Sequence, residues 1–228
     1  MVEKIVHSCS RIDRESLIYQ GIAQYMFISF EGIDCCGKTT QVTLLLEKLN
    51  AVNRQHLLLR EPGGTSISEE IRSILLDKKN LNMTQMTELL LFSASRVQLV
   101  NEVIKPALAD QKIVICDRYV DSTTAYQGYG RGLLLGAVKT INRVATMDVM
   151  PKKTFFIDIT VQEMVERRKA SKHETDRMEL SNEEFFSRVR NGYHEMAKDE
   201  PDRFVVINGK QTMMEIHEEV WNIVSQLI

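Results

Sequence analysis

Short apolar runs alternate with longer amphipathic stretches along most of the chain. Five runs lack the apolar-polar alternation of a half-exposed strand, so we predict strands that are buried on both faces of a parallel sheet. These predicted strands cover residues 26–30, 56–59, 113–116, 154–159 and 204–207. Residues that follow such strands gather at one edge of the sheet, where open α/β folds bind their ligands.

The stretches between the strands carry helical spacing. The last one places Ile216, Val220, Ile223, Val224 and Leu227 on one face, as in a helix packed on a core. The predicted helices cover residues 39–50, 66–76, 84–109, 132–147, 161–171, 181–199 and 212–227. Because strands and helices alternate, we predict an α/β fold with a five-stranded parallel sheet and helices on both faces.

Residue composition argues against several classes of protein. Apolar residues make up 43% of the chain, charged residues 26%, and the formal net charge is -2, so we expect no nucleic-acid polymer as a partner. No apolar run approaches the roughly 18 residues that span a bilayer, so we expect no membrane partner. The four cysteines lack the spacing of a disulfide framework or a zinc site, which favours a reducing, cytoplasmic location.

The N-terminal residues 1–25 match no motif, and the regular pattern begins at Met26. Two interpretations stay open. We favour a frayed or loosely docked extension, and the alternative is that translation begins at Met26. We therefore divide the chain into an N-terminal extension, residues 1–25, and one α/β domain, residues 26–228.

The strongest local signal is a glycine loop between the first predicted strand and the first predicted helix. The phosphate-binding pattern G-x-x-x-x-G-K-[ST] is matched by Gly32-Ile33-Asp34-Cys35-Cys36-Gly37-Lys38-Thr39. A glycine loop at a helix N-terminus supplies the backbone N–H donors that a phosphate chain needs. We predict that Lys38 reaches the β and γ phosphates of ATP and that the Thr39 hydroxyl binds Mg²⁺.

Asp117 directly follows the third predicted strand, and Arg118 comes next. In P-loop proteins an acidic residue at this place lies near Mg²⁺ or the attacking acceptor. A lone Asp after a strand is usually a cap or turn residue, but the adjacent arginine favours a functional role. We therefore predict a metal site formed by Thr39 and Asp117.

Three further clusters suit a small polar acceptor. The loop Arg60-Glu61-Pro62-Gly63-Gly64-Thr65 follows the second strand, and its Pro and Gly residues shape a turn that a ligand can approach closely. Phe92 and Arg96 share one helix face, where a ring and a guanidinium can stack a base and hold an anion, although isolated pairs of this kind are more often structural. Residues 117–128 add hydroxyls, an amide and aromatic rings at the end of a strand.

A basic run lies after the fourth strand and contains Arg167-Arg168-Lys169, Lys172 and Asp176-Arg177. Short basic runs are usually solvated surfaces. This one lies between two helices, where a short lid, at about residues 167–177, could close over a triphosphate and neutralise charge on the transferred group. The glycine loop alone does not name the acceptor, because GTPases, motor and transport ATPases and small-molecule kinases share it. The GTPase base-reading motif Asn-Lys-x-Asp is not matched by Asn208-Gly209-Lys210-Gln211.

The order and spacing of these motifs resemble the thymidylate kinase family. The residues that carry the resemblance are Phe30-Glu31-Gly32-Ile33-Asp34, Gly37-Lys38-Thr39-Thr40, Arg60-Glu61-Pro62-Gly63-Gly64-Thr65, Leu91-Phe92 with Arg96, and Asp117-Arg118-Tyr119 with Ser122, Thr123 and Ala125-Tyr126-Gln127-Gly128. The resemblance runs from about residue 26 to the C-terminus. It implies a P-loop fold like that of nucleoside monophosphate kinases, the conversion of dTMP and ATP to dTDP and ADP with Mg²⁺, and a homodimer.

The resemblance also implies roles for single residues. Phe92 stacks on thymine, Arg96 with Gln127 or Thr123 reads the base edge or supports the monophosphate, and Tyr126 crowds the 2′ position. The implied catalytic residues are Lys38, Asp34, Arg118, Arg168 and Lys172, of which Arg118 holds the acceptor phosphate and Asp34 lies near the 3′-hydroxyl and the metal. The implied ATP site is Gly32, Ile33, Asp34, Cys35, Cys36, Gly37, Lys38, Thr39 and Thr40. The implied dTMP site is Arg60, Pro62, Phe92, Arg96, Arg118, Ser122, Thr123, Tyr126 and Gln127.

Two departures from the family pattern affect the chemistry. The loop carries Cys35-Cys36 and no arginine, so the catalytic cation is expected from the lid, as in the bacterial type. Bacterial relatives tend to have Arg where this chain has Lys172, and Lys cannot make a bidentate contact, so Arg168, Lys172 and Arg177 all stay candidates. We also expect a lowered thiol pKa at Cys35 and Cys36, and oxidation there that blocks ATP binding.

Two alternative functions stay open at this point. One is a P-loop kinase for another deoxynucleotide or for a deoxynucleoside, which a substrate panel would identify. The other is a nucleotide-binding protein with a degenerate site. The presence of Lys38, Thr39, Asp117 and Arg118 argues against the second.

Overall fold

The structure is a computed structural model that describes residues 25–170 and 175–228. Five parallel strands form one sheet in the order β2-β3-β1-β4-β5. The strands are β1 Phe27–Glu31, β2 His56–Arg60, β3 Ile113–Asp117, β4 Lys153–Asp158 and β5 Phe204–Asn208. The five predicted strands and the α/β fold class are therefore confirmed.

Helices connect the strands and cover the sheet. They are α1 Lys38–Ala51, α2 Ser66–Leu76, α3 Gln85–Leu99, α4 Lys105–Ala109, α5 Val120–Thr123, α6 Leu135–Thr146, α7 Val161–Ala170, α8 Glu183–Asp199 and α9 Met213–Ser225. Polar caps define several of their starts. At α9, Thr212 and Glu215 form a reciprocal capping box, which satisfies backbone donors that the helix leaves free. None of the described helices has the length and apolar character needed to cross a membrane.

Two helical regions depart from the 3.6-residue period. A π-helical turn, Val100–Ile104, lies between α3 and α4, inside the stretch predicted as one helix. A second π-helical segment, Thr124–Gly130, continues α5, and its Arg131 N–H bonds the carbonyl of Tyr126 five residues earlier. Neither was predicted from the spacing of apolar residues: the first was included in one continuous predicted helix, and the second, with α5 before it, lies outside the predicted helices.

The central strands β3, β1 and β4 are buried on both faces, as their apolar runs predicted, whereas the edge strands β2 and β5 expose Leu58 and Val206, so the prediction is wrong for these two. Alternate β1 residues contribute to opposite sides: Phe27 packs with Val114 of β3 on one face, while Ile28 packs with Ile115 on the other. Helices α3 and α4 cover the first face, and α1, α8 and α9 cover the second. Because β1 lies between β3 and β4, the chain crosses over β1 when it passes from β3 to β4. This switch point leaves a crevice at the carboxyl ends of β1 and β3.

The predicted N-terminal extension lies outside the described residues except for Tyr25, whose hydroxyl donates to the carbonyl of Met150 at 3.3 Å. Residues 171–174 of the predicted lid, which include Lys172, also lie outside the described residues.

Candidate active site

The glycine loop connects the end of β1 to the start of α1. Gly32 and Gly37 have φ values of 140° and 100°, in the left-handed region that favours glycine. A Cβ at Gly32 would also lie 2.6 Å from the carbonyl oxygen of Ile157, so no larger residue fits there. Lys38 Nζ points back into the loop and donates to the carbonyls of Gly32 at 3.2 Å and Ile33 at 3.0 Å. The loop and the helix N-terminus therefore meet as a phosphate-binding loop requires.

The two predicted metal ligands lie side by side. Asp117 ends β3 next to β1, and the Thr39 hydroxyl at the start of α1 donates to Asp117 Oδ2 at 2.9 Å. Mg²⁺ prefers oxygen ligands and is usually held by one or two protein groups together with substrate phosphates. The described residues contain no cluster of three or more His, Cys, Asp or Glu side chains suited to a metal.

A separate pocket opens beside the glycine loop. It contains eight of the nine residues predicted for the acceptor: Pro62, Phe92, Arg96, Arg118, Ser122, Thr123, Tyr126 and Gln127. Asp34 of the glycine loop also lines it. The ninth residue, Arg60, is half-exposed outside the pocket lining, where it pairs with Glu69 at 2.9 Å. The loop after β2 thus contributes its backbone and Pro62, while the Arg60 side chain turns to α2.

Arg96 reaches this pocket from α3 as part of a buried ion pair. Its Nε and Nη2 donate to Glu61 Oε2 at 2.8 and 2.6 Å, and Nη2 also donates to Thr123 Oγ1 at 2.9 Å. Burial raises the pKa of Glu61, although the charge of Arg96 opposes this rise. The second carboxylate oxygen of Glu61 is buried without a partner among the described residues. Since Arg96 is only 1% exposed, it is fixed in place before any ligand binds.

Asp34 of the glycine loop lines the acceptor pocket and contacts Arg118 and Arg168, the second of which belongs to the predicted lid. Arg118 Nη2 donates to Asp34 Oδ1 at 2.6 Å, and Arg118 Nη1 donates to the carbonyl of Gly32 at 2.8 Å. Arg168 at the end of α7 lies with Nη2 3.6 Å from Asp34 Oδ2. The Arg118 guanidinium lies over the Tyr126 ring, with its Cζ atom 5.1 Å from the ring centroid. Two guanidinium groups therefore converge where the two substrate sites meet.

A buried glutamate, Glu31, holds the chain that directly follows Arg118. Glu31 of β1 accepts hydrogen bonds from the Tyr119 backbone N–H at 2.7 Å, the Ser122 hydroxyl at 2.6 Å and the Tyr193 hydroxyl at 2.8 Å. Arg118 itself has φ of 70°, a left-handed conformation that costs a non-glycine residue energy. Tyr119 and Ser122 follow Arg118 in the chain, and their hydrogen bonds to Glu31 help to maintain that conformation.

Three lid cations were left open by the sequence, and the structure separates two of them. Arg168 contacts Asp34, as above. Arg177 is buried instead beside α2 and α3, where it donates to the carbonyl of Leu75 and pairs with Glu88, each at 2.6 Å. The described position of Arg177 is therefore structural.

Several pocket residues were not predicted as site residues. Glu61, Arg72, Asp176 and Glu179 all line the pocket. Arg72 projects from α2 and donates to the carbonyl of Pro62 at 2.9 Å. The only sequence signal for Arg72 was its position on the helix after the glycine-proline loop, and a surface arginine there is ordinary.

The expectation of a lowered thiol pKa is wrong for Cys35. Burial raises the pKa of this thiol, and the nearby charge of Asp34 raises it further, against the smaller effect of Arg168. Cys36 is fully buried and accepts a contact from Lys38 Nζ at 3.4 Å. The backbone amides of the loop favour the thiolate, but the burial of the thiol and the carboxylate of Asp34 act against it.

The fold and the site together define a P-loop phosphotransferase, because a phosphate-binding loop and a separate polar acceptor pocket share one edge of a parallel sheet. The thymidylate kinase family model matches residues 30–220. A thymidylate kinase from Thermoanaerobacter sp. is 48% identical over 202 residues, covering 89% of this chain and 98% of the relative. A thymidylate kinase from Kosmotoga olearia is 50% identical over 196 residues, which cover 86% of this chain and 93% of the relative. The crystal structure of thymidylate kinase from Ehrlichia chaffeensis matches with a TM-score of 0.71 and 38% identity, covering 89% of this chain and 99% of that one. The chain belongs to the thymidylate kinase family.

Proposed function

We propose that this protein transfers the γ-phosphoryl group of Mg²⁺-bound ATP to dTMP and releases ADP and dTDP. One observation carries the proposal: Asp34 contacts Arg118 of the acceptor pocket and Arg168 of the lid helix, so the glycine loop, the pocket and the lid meet at a single point. Phosphoryl transfer depends on such positioning and on neutralising charge. The acceptor is already an ionised phosphate, so no strong general base is needed.

Lys38 and the loop backbone would bind the β and γ phosphates of ATP, with residues 32–40 forming the donor site. Mg²⁺, bound by Thr39 and Asp117, would neutralise the phosphate oxygens. Arg118 would exchange its contact with Asp34 for the acceptor phosphate, which is also an oxygen anion that a guanidinium binds. Arg168 would supply the lid cation, and Lys172 remains a second candidate.

On the acceptor side, Phe92 would stack on thymine, while Arg96, Thr123 and Gln127 would contact its polar edge. Tyr126 would limit space at the 2′ position, and its hydroxyl lies 3.5 Å from Asp34 Oδ1. The pocket is lined by the loop at Pro62 and by Ser122, in line with the roles that the family implies.

A homodimer is also part of this proposal. Helices α2 and α3 pack together and expose four apolar side chains: Ile67 and Ile74 on α2, and Met86 and Leu90 on α3. Within each helix the two residues share a face, because they are seven and four positions apart. Sedimentation should show a dimer that Leu90→Glu weakens, and a wild-type monomer would contradict it. The cytoplasmic location stays a prediction.

The test of the activity is ADP release with Mg²⁺-ATP against dTMP, dUMP, dCMP, dGMP, AMP and thymidine. We expect turnover with dTMP and weaker turnover with dUMP, and loss of both when Mg²⁺ is chelated. Turnover with a different acceptor would keep the phosphotransferase class but remove the roles of Phe92, Arg96 and Tyr126. No turnover with any acceptor would refute the proposal.

A further inference from the structure

Glu88 is a buried carboxylate of α3 to which the proposed reaction gives no role. It is 1% exposed. Its Oε1 accepts hydrogen bonds from Gln127 Nε2 at 2.9 Å and from Arg131 Nε at 3.0 Å. Its Oε2 accepts from Arg177 Nη1 at 2.6 Å and from Arg131 Nη2 at 3.2 Å. One carboxylate therefore holds two guanidinium groups and one amide of the acceptor pocket.

These partners keep Glu88 ionised. Burial on its own favours the neutral acid, but the hydrogen bonds and charges of Arg131 and Arg177, together with the amide of Gln127, outweigh it and lower the pKa of Glu88. An ionised carboxylate only accepts hydrogen bonds. The group of Gln127 that faces Glu88 must therefore be its donor, the NH₂ of Nε2.

The orientation of this amide decides what the pocket offers a ligand. Gln127 lines the acceptor pocket, and with Nε2 turned to Glu88 the other end of its amide, Oε1, is left to the pocket side. Among the described residues, Oε1 receives no protein hydrogen bond and is not one of the buried polar atoms without a partner. The pocket therefore presents a hydrogen-bond acceptor at this point.

We propose that Glu88 is a positioning residue that fixes the orientation of the Gln127 amide and so selects acceptor bases with a protonated ring nitrogen. The proposal rests on the proposed function. Thymine and uracil carry N3–H, a donor that Oε1 can accept. Cytosine has an unprotonated N3, so its lone pair would face the lone pairs of Oε1 and leave both without a partner.

Glu88→Gln tests this because it keeps the size of the side chain but adds a donor. The Gln127 amide can then turn round and present its NH₂ to the pocket. The quantity measured is the selectivity ratio, which is kcat/KM for dTMP divided by kcat/KM for dCMP at saturating Mg²⁺-ATP. We expect this ratio to fall by about tenfold in Glu88→Gln, while KM for ATP stays unchanged. Arg131→Gln is the matched control: Glu88 keeps Arg177 and Gln127, so the ratio should stay at the wild-type value.

A double variant shows whether Glu88 acts through Gln127. Gln127→Leu removes the amide that Glu88 orients. The double variant Gln127→Leu with Glu88→Gln should therefore have the same ratio as Gln127→Leu alone. An unchanged ratio in Glu88→Gln, or a further large fall in the double variant, would overturn the inference. If circular dichroism shows Glu88→Gln to be unfolded, the variant is combined with Arg131→Gln, which removes one unpaired cation, and the same fall is expected. A wild-type enzyme without a preference for dTMP over dCMP would instead refute the proposed acceptor and this inference with it.

Discussion

The buried carboxylate of Glu31 should make the stability of the fold depend on pH in a defined direction. Burial raises the pKa of Glu31 to about 7, and the charge of Asp121 adds to this rise. The Ser122 hydroxyl, the Arg118 charge and the Tyr119 N–H oppose it. Asp121 carries that charge within a two-point ion pair with Arg203, at 2.6 and 2.8 Å.

The sign follows from comparing folded and unfolded chains. An unfolded glutamate ionises near pH 4.5, whereas Glu31 in the folded chain holds its proton up to about pH 7. The stabilising contribution of the protonated group is therefore complete below pH 4.5 and is lost as pH rises through 7. At about 1.4 kcal/mol for each pKa unit, the whole loss is roughly 3 to 4 kcal/mol, most of which falls between pH 5 and 8.

Glu31→Gln removes this ionisation and keeps the shape of the side chain. We expect the free energy of unfolding of the variant, minus that of the wild type, to increase by roughly 2 to 3 kcal/mol from pH 5 to pH 8. The measurement is urea unfolding at several pH values, followed by circular dichroism. Glu70→Gln, at an exposed position of α2, is the matched control. For this variant, the free energy of unfolding minus that of the wild type should not change with pH.

Two results would refute this reasoning. A difference that stays constant within about 0.5 kcal/mol would mean that Glu31 ionises equally in the folded and unfolded chains. A difference that decreases with pH would mean that the hydrogen bonds from Ser122, Tyr119 and Tyr193 favour the charged form enough to reverse the effect of burial.

Three further changes test the site. Lys38→Ala should lower kcat at least about a thousandfold without changing the circular dichroism spectrum, because charge on the transferred phosphate loses its cation; near-normal turnover would exclude Lys38 from catalysis. Tyr126→Ala should raise kcat/KM for UMP relative to dUMP, and an unchanged ratio would remove Tyr126 from sugar selection. Cys35 should react slowly with iodoacetamide at pH 7 and faster at higher pH, measured by intact mass, because its thiol pKa is raised; rapid modification at pH 7 would contradict the burial argument.

The sheet and the phosphate-binding loop were predictable because each depends on local sequence. A strand buried on both faces has to be apolar at consecutive positions, and β1 and β3 show this directly. A phosphate-binding loop needs glycine where φ is positive and Lys-Thr at the helix start, so its pattern is contiguous in residues 32–39. The alternation of strands and helices then placed Asp117 at the same edge of the sheet.

The polar network of the acceptor pocket was less predictable because it joins distant residues. Glu61 pairs with Arg96, and Glu88 with Gln127 and Arg177, and nothing in the local sequence around any of them indicates its partner. The nine acceptor residues were named through a family resemblance, which supplies positions without their hydrogen bonds. The same limit explains Arg60, which has the residue type of an anion ligand but pairs with Glu69.

The π-helical segment Thr124–Gly130 has a consequence for how this chain can vary in length. A π turn holds one residue more than an α turn, and this segment carries Tyr126 and Gln127, which both line the acceptor pocket. Deleting one residue between Thr123 and Arg131 would change the direction of the side chains on one side of the deletion relative to those on the other, and so displace part of the pocket lining. Insertions and deletions should therefore be tolerated poorly in this short segment, even at positions whose own side chains touch no ligand.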